Sequence, residues 1–261
     1  MDKNDIEKLA GNPNFISGIY NYCDRWCERC PFTSRCMNYA LSEEEFSDPA
    51  TRDINNKAFW GKLGEIFLAT LEMVREKAKE MGVDIDAIDY EKIADDEKHI
   101  HQMVEQQPYC IAAMEYIGKV DDWFETNKDQ FEAKGDELLS QAQAGIPDTS
   151  PEEDALKIND CLEVISWYKH QIYVKLCRAA TGLMRTNSNE VEYSIDDANG
   201  SAKVAIIGIE RSISAWAGLL SYFTEQEGSI LDLLVILKRL LAQIESSFPQ
   251  ARSFKRPGFD S

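Results

Sequence analysis

Basic residues are scarce in this sequence, and the shortage limits what the protein can bind. The 261 residues include 28 lysines and arginines against 46 aspartates and glutamates, which gives a formal net charge of −18. A surface of this sign repels phosphate backbones and anionic lipid headgroups. We therefore expect no generic binding to nucleic acid or to membranes.

Long apolar runs are missing as well. The longest, residues 230–238, contains Asp232 and Lys238 and is far shorter than the ~20 residues that a membrane span requires. The first eight residues are polar and charged, unlike the basic and then apolar start of a signal peptide. These absences predict a cytoplasmic protein, in which the seven cysteines are thiols or metal ligands rather than disulfides.

Motifs of catalysis are also absent. The sequence has no phosphate-binding glycine loop, no nucleophile elbow and no pattern typical of Ser-His-Asp chemistry. Its only histidines are His99, His101 and His170, and none belongs to the Glu-x-x-His motif of carboxylate-bridged di-iron bundles. We assign no catalytic residue and favour a non-enzymatic role.

What the sequence does have is helical periodicity. Apolar residues recur at steps of three and four, and Pro108 should kink or split the second of the helices that they predict. Residues 185–198 are polar and predict a loop. The predicted helices cover residues 52–81, 95–127, 128–143, 151–184, 198–223 and 227–248. We expect an all-α protein, with a bundle of four to five long helices over residues 51–261.

The N-terminal residues 1–50 are predicted to form a small metal-binding cap. Cys23, Cys27, Cys30 and Cys36 fall within fourteen residues. On a helix the first three would share one face, and Pro31 favours a turn that brings the fourth back over it. Four thiolates that converge in this way suit an iron-sulfur cluster or a zinc ion.

The spacing leaves three interpretations of these cysteines open: metal ligands, reduced side chains on a buried helical face, or a disulfide. We favour the metal. Zinc sites typically have two close pairs of ligands separated by a long insert, which this segment lacks, so a [4Fe-4S] cluster is preferred and zinc is the alternative. The neighbouring Arg25, Arg29 and Arg35 would offset the negative charge of such a site.

The run Cys27-Glu-Arg-Cys30-Pro-Phe-Thr-Ser-Arg-Cys36 resembles the C-x2-C-x5-C iron-sulfur staple of RecB-type nucleases. In that family a fourth, distant cysteine completes a [4Fe-4S] cluster that clamps the fold. The resemblance implies the same cluster here, with Cys23 as the fourth ligand. It covers only residues 27–36, and the strands that carry the nuclease's Asp and Glu-x-Lys are not evident, so nuclease activity is not implied.

Two other features have no assigned function. Glu210 lies among apolar residues of a predicted helix, so we expect a basic or tyrosine partner from another helix. The basic tail, residues 252–256, alternates with aromatics and either contacts an acidic partner or is a solvated tail docked by Phe254 and Phe259.

The remaining cysteines, Cys110, Cys161 and Cys177, are predicted to fill the apolar core. Together these expectations describe a helical interaction or regulatory protein, stabilised by a metal centre, with an unknown protein partner. The alternatives are a redox-active or oxidant-sensing iron-sulfur protein and a zinc-stapled binding module.

Overall fold

The computed structural model describes residues 3–185 and 191–260. These residues form ten α-helices joined by turns and short 3-10 segments, and they contain no strand, so the prediction of an all-α protein is confirmed. None of the helices in these ranges is long and apolar enough to cross a membrane. The α-helices are α1 (Lys3–Ala10), α2 (Met37–Glu45), α3 (Pro49–Arg52), α4 (Lys57–Glu80), α5 (Tyr90–Glu105), α6 (Pro108–Thr126), α7 (Lys128–Ala144), α8 (Pro151–Met184), α9 (Val191–Leu220) and α10 (Glu227–Ser247).

Prolines set two of the helix boundaries that the sequence predicted. Pro108 is the first residue of α6, and Gln107 before it is extended, with φ −66° and ψ 133°, because proline disfavours the helical conformation in the preceding residue. Pro151 likewise begins α8, where Glu152 and Glu153 lie near the positive end of the helix dipole. The split at Pro108 and the extent of α8 are both confirmed.

The predicted loop over residues 185–198 is wrong from residue 191 onward, because α9 already begins at Val191; residues 186–190 lie outside the described part. Polar composition suggested a loop, but tertiary contacts stabilise a helix here. Arg178 of α8 forms an ion pair with Asp197. Gly182 of α8 also packs closely against Ala198, because a Cβ built at Gly182 would lie only 3.0 Å from the Cβ of Ala198.

The chain divides into two compact units. The first comprises Met1–Glu97 and Lys255–Ser261, and the second comprises Lys98–Phe254. The predicted cysteine cap lies in the first unit, which also includes α4. A domain boundary after residue 50 stays a prediction.

The second unit is a helical bundle of α6–α10 built on the interface between α8 and α9. Its core is aromatic at one end: Trp216 is fully buried, donates its Nε1–H to the Tyr116 hydroxyl at 2.9 Å, and packs edge to face with Trp123 at a centroid distance of 4.8 Å. The indole and phenol thus bury apolar area while their polar atoms stay bonded.

In the first unit, α4 is the longest helix and begins later than predicted. Asn56 caps it by accepting a hydrogen bond from the Ala58 N–H at 3.0 Å. Its apolar face is largely uncovered, because Trp60, Phe67 and Val74 are more than half exposed, at 56%, 62% and 56%. The helix therefore presents an apolar stripe to solvent.

Candidate metal centre

The four-cysteine segment is not the helix that its spacing suggested. Two 3-10 turns, Cys27–Arg29 and Thr33–Arg35, are followed by extended residues at Cys30 and Cys36. Arg25 adopts a left-handed conformation, with φ 60°. These turns interrupt regular i to i+4 hydrogen bonding, so a common helical face cannot be what brings the thiols together.

The turns nevertheless bring all four predicted residues to one place. Cys23, Cys27, Cys30 and Cys36 line a single cavity of about 320 Å³, counting the part open to solvent. Most of the other walls are apolar or aromatic side chains: Ile19, Tyr20, Trp26, Tyr39 and Phe259. Such walls restrict water and increase the strength of any thiolate–cation interaction inside.

The sulfur atoms share this cavity without forming a preset coordination shell. Nowhere in residues 3–185 and 191–260 do three or more His, Cys, Asp or Glu side chains have an arrangement that could hold a metal ion. The Cys23 thiol instead donates to the Tyr20 carbonyl at 3.6 Å. A metal centre built on these residues requires the side chains to turn toward a common point.

Electrostatics within the cavity disfavour a bare thiolate at Cys27. Burial raises the pKa of Cys27, and the negative forms of Cys23, Cys36 and Cys30 raise it further. Cys27 therefore lies close enough to the other three sulfur atoms to be repelled by them once they ionise. A bound cation would remove that repulsion, and its binding would release protons.

Two backbone features support the sulfur atoms. The Phe32 N–H donates to the Cys30 Sγ at 3.4 Å. The Ile16 N–H donates to the Arg35 carbonyl at 3.0 Å, which ties the segment to the preceding chain. Backbone hydrogen bonds therefore help to hold the cysteine segment in place.

The three arginines predicted to balance the site differ in position. Arg25 lines the cavity. Arg29 lies over the Trp26 ring at 4.1 Å from its centroid, and the Arg35 Nε–H donates to the Asn14 carbonyl at 3.4 Å. Arg25 is thus the arginine on the cavity wall, whereas Arg29 and Arg35 contact Trp26 and Asn14.

The C-terminal segment supplies a wall that the sequence analysis missed. Phe259 lines the cavity and packs edge to face on Phe32 at a centroid distance of 5.1 Å. Gly258 has φ +78°, and a Cβ there would lie 2.9 Å from Ile16 Cδ1 and 3.0 Å from Ile19 Cδ1. The alternation of aromatic and basic residues in the tail was the available signal, and it did not specify what Phe259 contacts.

The other residues of interest lie away from this cavity. Glu210 is exposed rather than buried, and its predicted basic partner is Arg252, at 2.9 Å, which follows α10 instead of lying on a helix. Arg256 pairs with Asp260 at 3.0 Å, so the tail's two arginines both have acidic partners within the chain. His101 lies 3.1 Å from Glu105, one turn further along α5.

Comparison with known proteins gives no match, whether to a family model, to a curated protein or to a solved structure. The resemblance of residues 27–36 to the staple of RecB-type nucleases therefore stays a prediction.

Proposed function

We propose that Cys23, Cys27, Cys30 and Cys36 hold a metal centre that staples the first unit of a non-enzymatic interaction protein. The observation that carries the proposal is that all four side chains, and no other cysteine, line one small cavity with largely apolar walls. Four thiolates satisfy either a [4Fe-4S] cluster or a tetrahedral zinc ion. We favour the cluster on the local spacing of the ligands.

The proposed role of the centre is structural. All four ligands belong to the same chain, so a fully coordinated metal leaves no open position for a substrate. When bound, the group would join the 3-10 turns to each other, and the walls formed by Ile19 and Phe259 would then be fixed around it. This staple suits a unit whose longest helix, α4, contributes only Ala69 to the buried core.

The exposed stripe of α4 supports the interaction role. Its positions are spaced alternately by four and three residues, the repeat that lets two helices pack along a continuous seam. The stripe comprises Trp60, Gly64, Phe67, Leu71, Val74, Ala78 and Met81. Because a seam of this kind is complementary to itself and two-fold dimers are the commonest assemblies, a second copy of α4 is the proposed occupant.

Metal content tests the staple directly. Protein purified without oxygen should be brown and contain roughly four iron and four acid-labile sulfide per chain if the cluster is present. A colourless protein with one divalent ion per chain would identify zinc. Serine at any one of the four positions should remove most of the metal, because a ligand is lost, whereas Cys161→Ser should retain it.

Two outcomes contradict the proposal. The first is wild-type protein that contains no stoichiometric metal after anaerobic preparation. The second is a Cys36→Ser variant that folds normally but loses a measurable turnover, which would indicate an enzyme. A reversible absorbance change on adding dithionite would instead support the redox-sensing alternative over a purely structural role.

A further inference from the structure

Two cysteines of the second unit face each other across a helix interface. Cys110 of α6 and Cys177 of α8 have their Sγ atoms 3.9 Å apart. Cys110 is 0% exposed, whereas Cys177 is partly exposed. Their apolar neighbours in the sequence predicted that both fill the core, because nothing in their spacing along the chain shows that α6 and α8 bring them together.

The surroundings of the pair make its two sulfur atoms unequal. The hydrogen bond with Cys110 lowers the pKa of Cys177 to about 7, with further lowering by Tyr173 and by His101, while burial and Glu105 act in the opposite direction. The hydrogen bond to Cys177, together with burial, raises the pKa of Cys110. Cys177 is therefore the accessible nucleophile, and Cys110 is the protected thiol beside it.

We propose that Cys110 and Cys177 form a reversible disulfide by exchange with a low-molecular-weight disulfide, such as oxidised glutathione. The pair is separate from the four cysteines of the candidate metal centre, so the proposal is independent of that centre. Closing the sulfur–sulfur distance from 3.9 Å to the ~2.05 Å of a disulfide requires a side-chain rotation toward the partner.

The exchange proceeds in two steps. The Cys177 thiolate attacks one sulfur of glutathione disulfide, forms a mixed disulfide and releases one glutathione thiolate, which takes up a proton. Cys110 then loses its proton to solvent and attacks the Cys177 Sγ, releasing the second glutathione. The two protein thiols lose two electrons in total, and glutathione disulfide gains them as two thiols.

The bond would join two helices whose linked residues are 67 positions apart in the chain. Crosslinking such a long loop restricts the unfolded chain and thereby stabilises the folded one. The oxidised second unit should accordingly unfold at a higher temperature than the reduced unit. The proposed pair is thus a modification site that couples thiol redox state to the stability of the bundle.

Peptide mapping of the full-length protein tests the pair. Reduced protein is equilibrated with glutathione buffers of increasing oxidising ratio, quenched in acid, alkylated with N-ethylmaleimide and digested. We expect the peptides that contain Cys110 and Cys177 to become linked with the loss of two hydrogens, and dithiothreitol to reverse the link. In the reduced native protein at pH 7, Cys177 should be alkylated at least about fivefold faster than Cys161, because more of it is thiolate.

Three variants sharpen the result. Cys177→Ser should abolish the link, Cys110→Ser should accumulate glutathione on Cys177, and Cys161→Ser, the matched control on α8, should retain the link. The proposal is overturned if wild-type Cys110 and Cys177 stay fully alkylated at the most oxidising ratio. It is equally overturned if glutathione remains on wild-type Cys177 without any link to Cys110, since the second step would then fail. Both of these outcomes are measured on the wild-type chain and do not depend on whether a variant folds.

Discussion

Single residues fix how the C-terminal segment meets the cysteine cavity. Gly258 combines a left-handed backbone with close contact to Ile16 and Ile19, so any side chain there is both strained and crowded. Gly82 has a similar φ of +70° but open space around it. Substitution of Gly82 should therefore cost backbone strain alone, whereas substitution of Gly258 should cost both backbone strain and crowding.

We expect Gly258→Ala to destabilise the protein by about 1–2 kcal/mol through its left-handed backbone, with an additional packing cost that Gly82→Ala lacks. Urea unfolding of the two variants measures the difference, and metal analysis shows whether only Gly258→Ala weakens the cavity. A Gly258→Ala protein as stable as Gly82→Ala, with full metal content, would contradict this account.

At this scale the cysteines were predictable and their environment was not. Close spacing of Cys23, Cys27, Cys30 and Cys36 was sufficient to select the residues that share a cavity. Phe259 was not predictable as a wall, because its contact joins opposite ends of the sequence. The partner of Cys110 was hidden for the same reason, since neither local spacing nor periodicity encodes a contact between two separate helices.

Among the elements, α8 and α9 are in close contact at a glycine of α9. A Cβ at Gly208 would lie 2.9 Å from Tyr168 Cδ1 and 3.2 Å from Ile172 Cγ1. Both neighbours are buried in the bundle, so they have little freedom to move aside. Gly118, on an exposed part of α6, has no such neighbour within 4 Å.

Gly208→Ala should therefore cost about 1–3 kcal/mol from overpacking. Gly118→Ala is the matched control and should add about 0.5–1 kcal/mol of stability, because alanine has the higher helix propensity. Denaturant unfolding monitored by circular dichroism measures both changes. Equal effects of the two substitutions would show that packing at Gly208 is looser than the structure indicates.

Helix prediction succeeded where local signals and packing agreed. Pro108 and Pro151 restrict the backbone directly, and both boundaries were found. The helical conformation of residues 191–198 was missed because their polar composition predicts a loop. Contacts with α8 stabilise the helix there. The exposure of the apolar face of α4 was not predictable, since periodicity shows that a helix has an apolar side but not whether anything covers it.

Over the whole molecule, the apolar stripe of α4 and the net charge of −18 act in opposite directions on association. Repulsion between acidic surfaces opposes self-association, and salt screens that repulsion. The dissociation constant of a dimer that buries the stripe should therefore fall as ionic strength rises. The same charge also repels the phosphate backbone of nucleic acid.

We expect the protein to sediment as a dimer at micromolar concentration and 150 mM salt. Phe67→Glu and Leu71→Glu should each raise the dissociation constant of the dimer by at least about tenfold, because a charge buried in the seam stays unpaired. Leu156→Glu on α8, a residue that is 70% exposed, is the matched control and should change nothing. Monomer at all concentrations in the wild-type protein would exclude the self-paired seam.

The position of Phe259 on the cavity wall also sets an order of events during synthesis. The four thiols leave the ribosome early, whereas the aromatic ring on the wall of their cavity is translated more than 220 residues later. Throughout that interval the nascent segment is open to any thiophilic ion. The ion held by the proposed centre would thus depend on what is supplied before Phe259 is translated, as well as on the four ligands themselves.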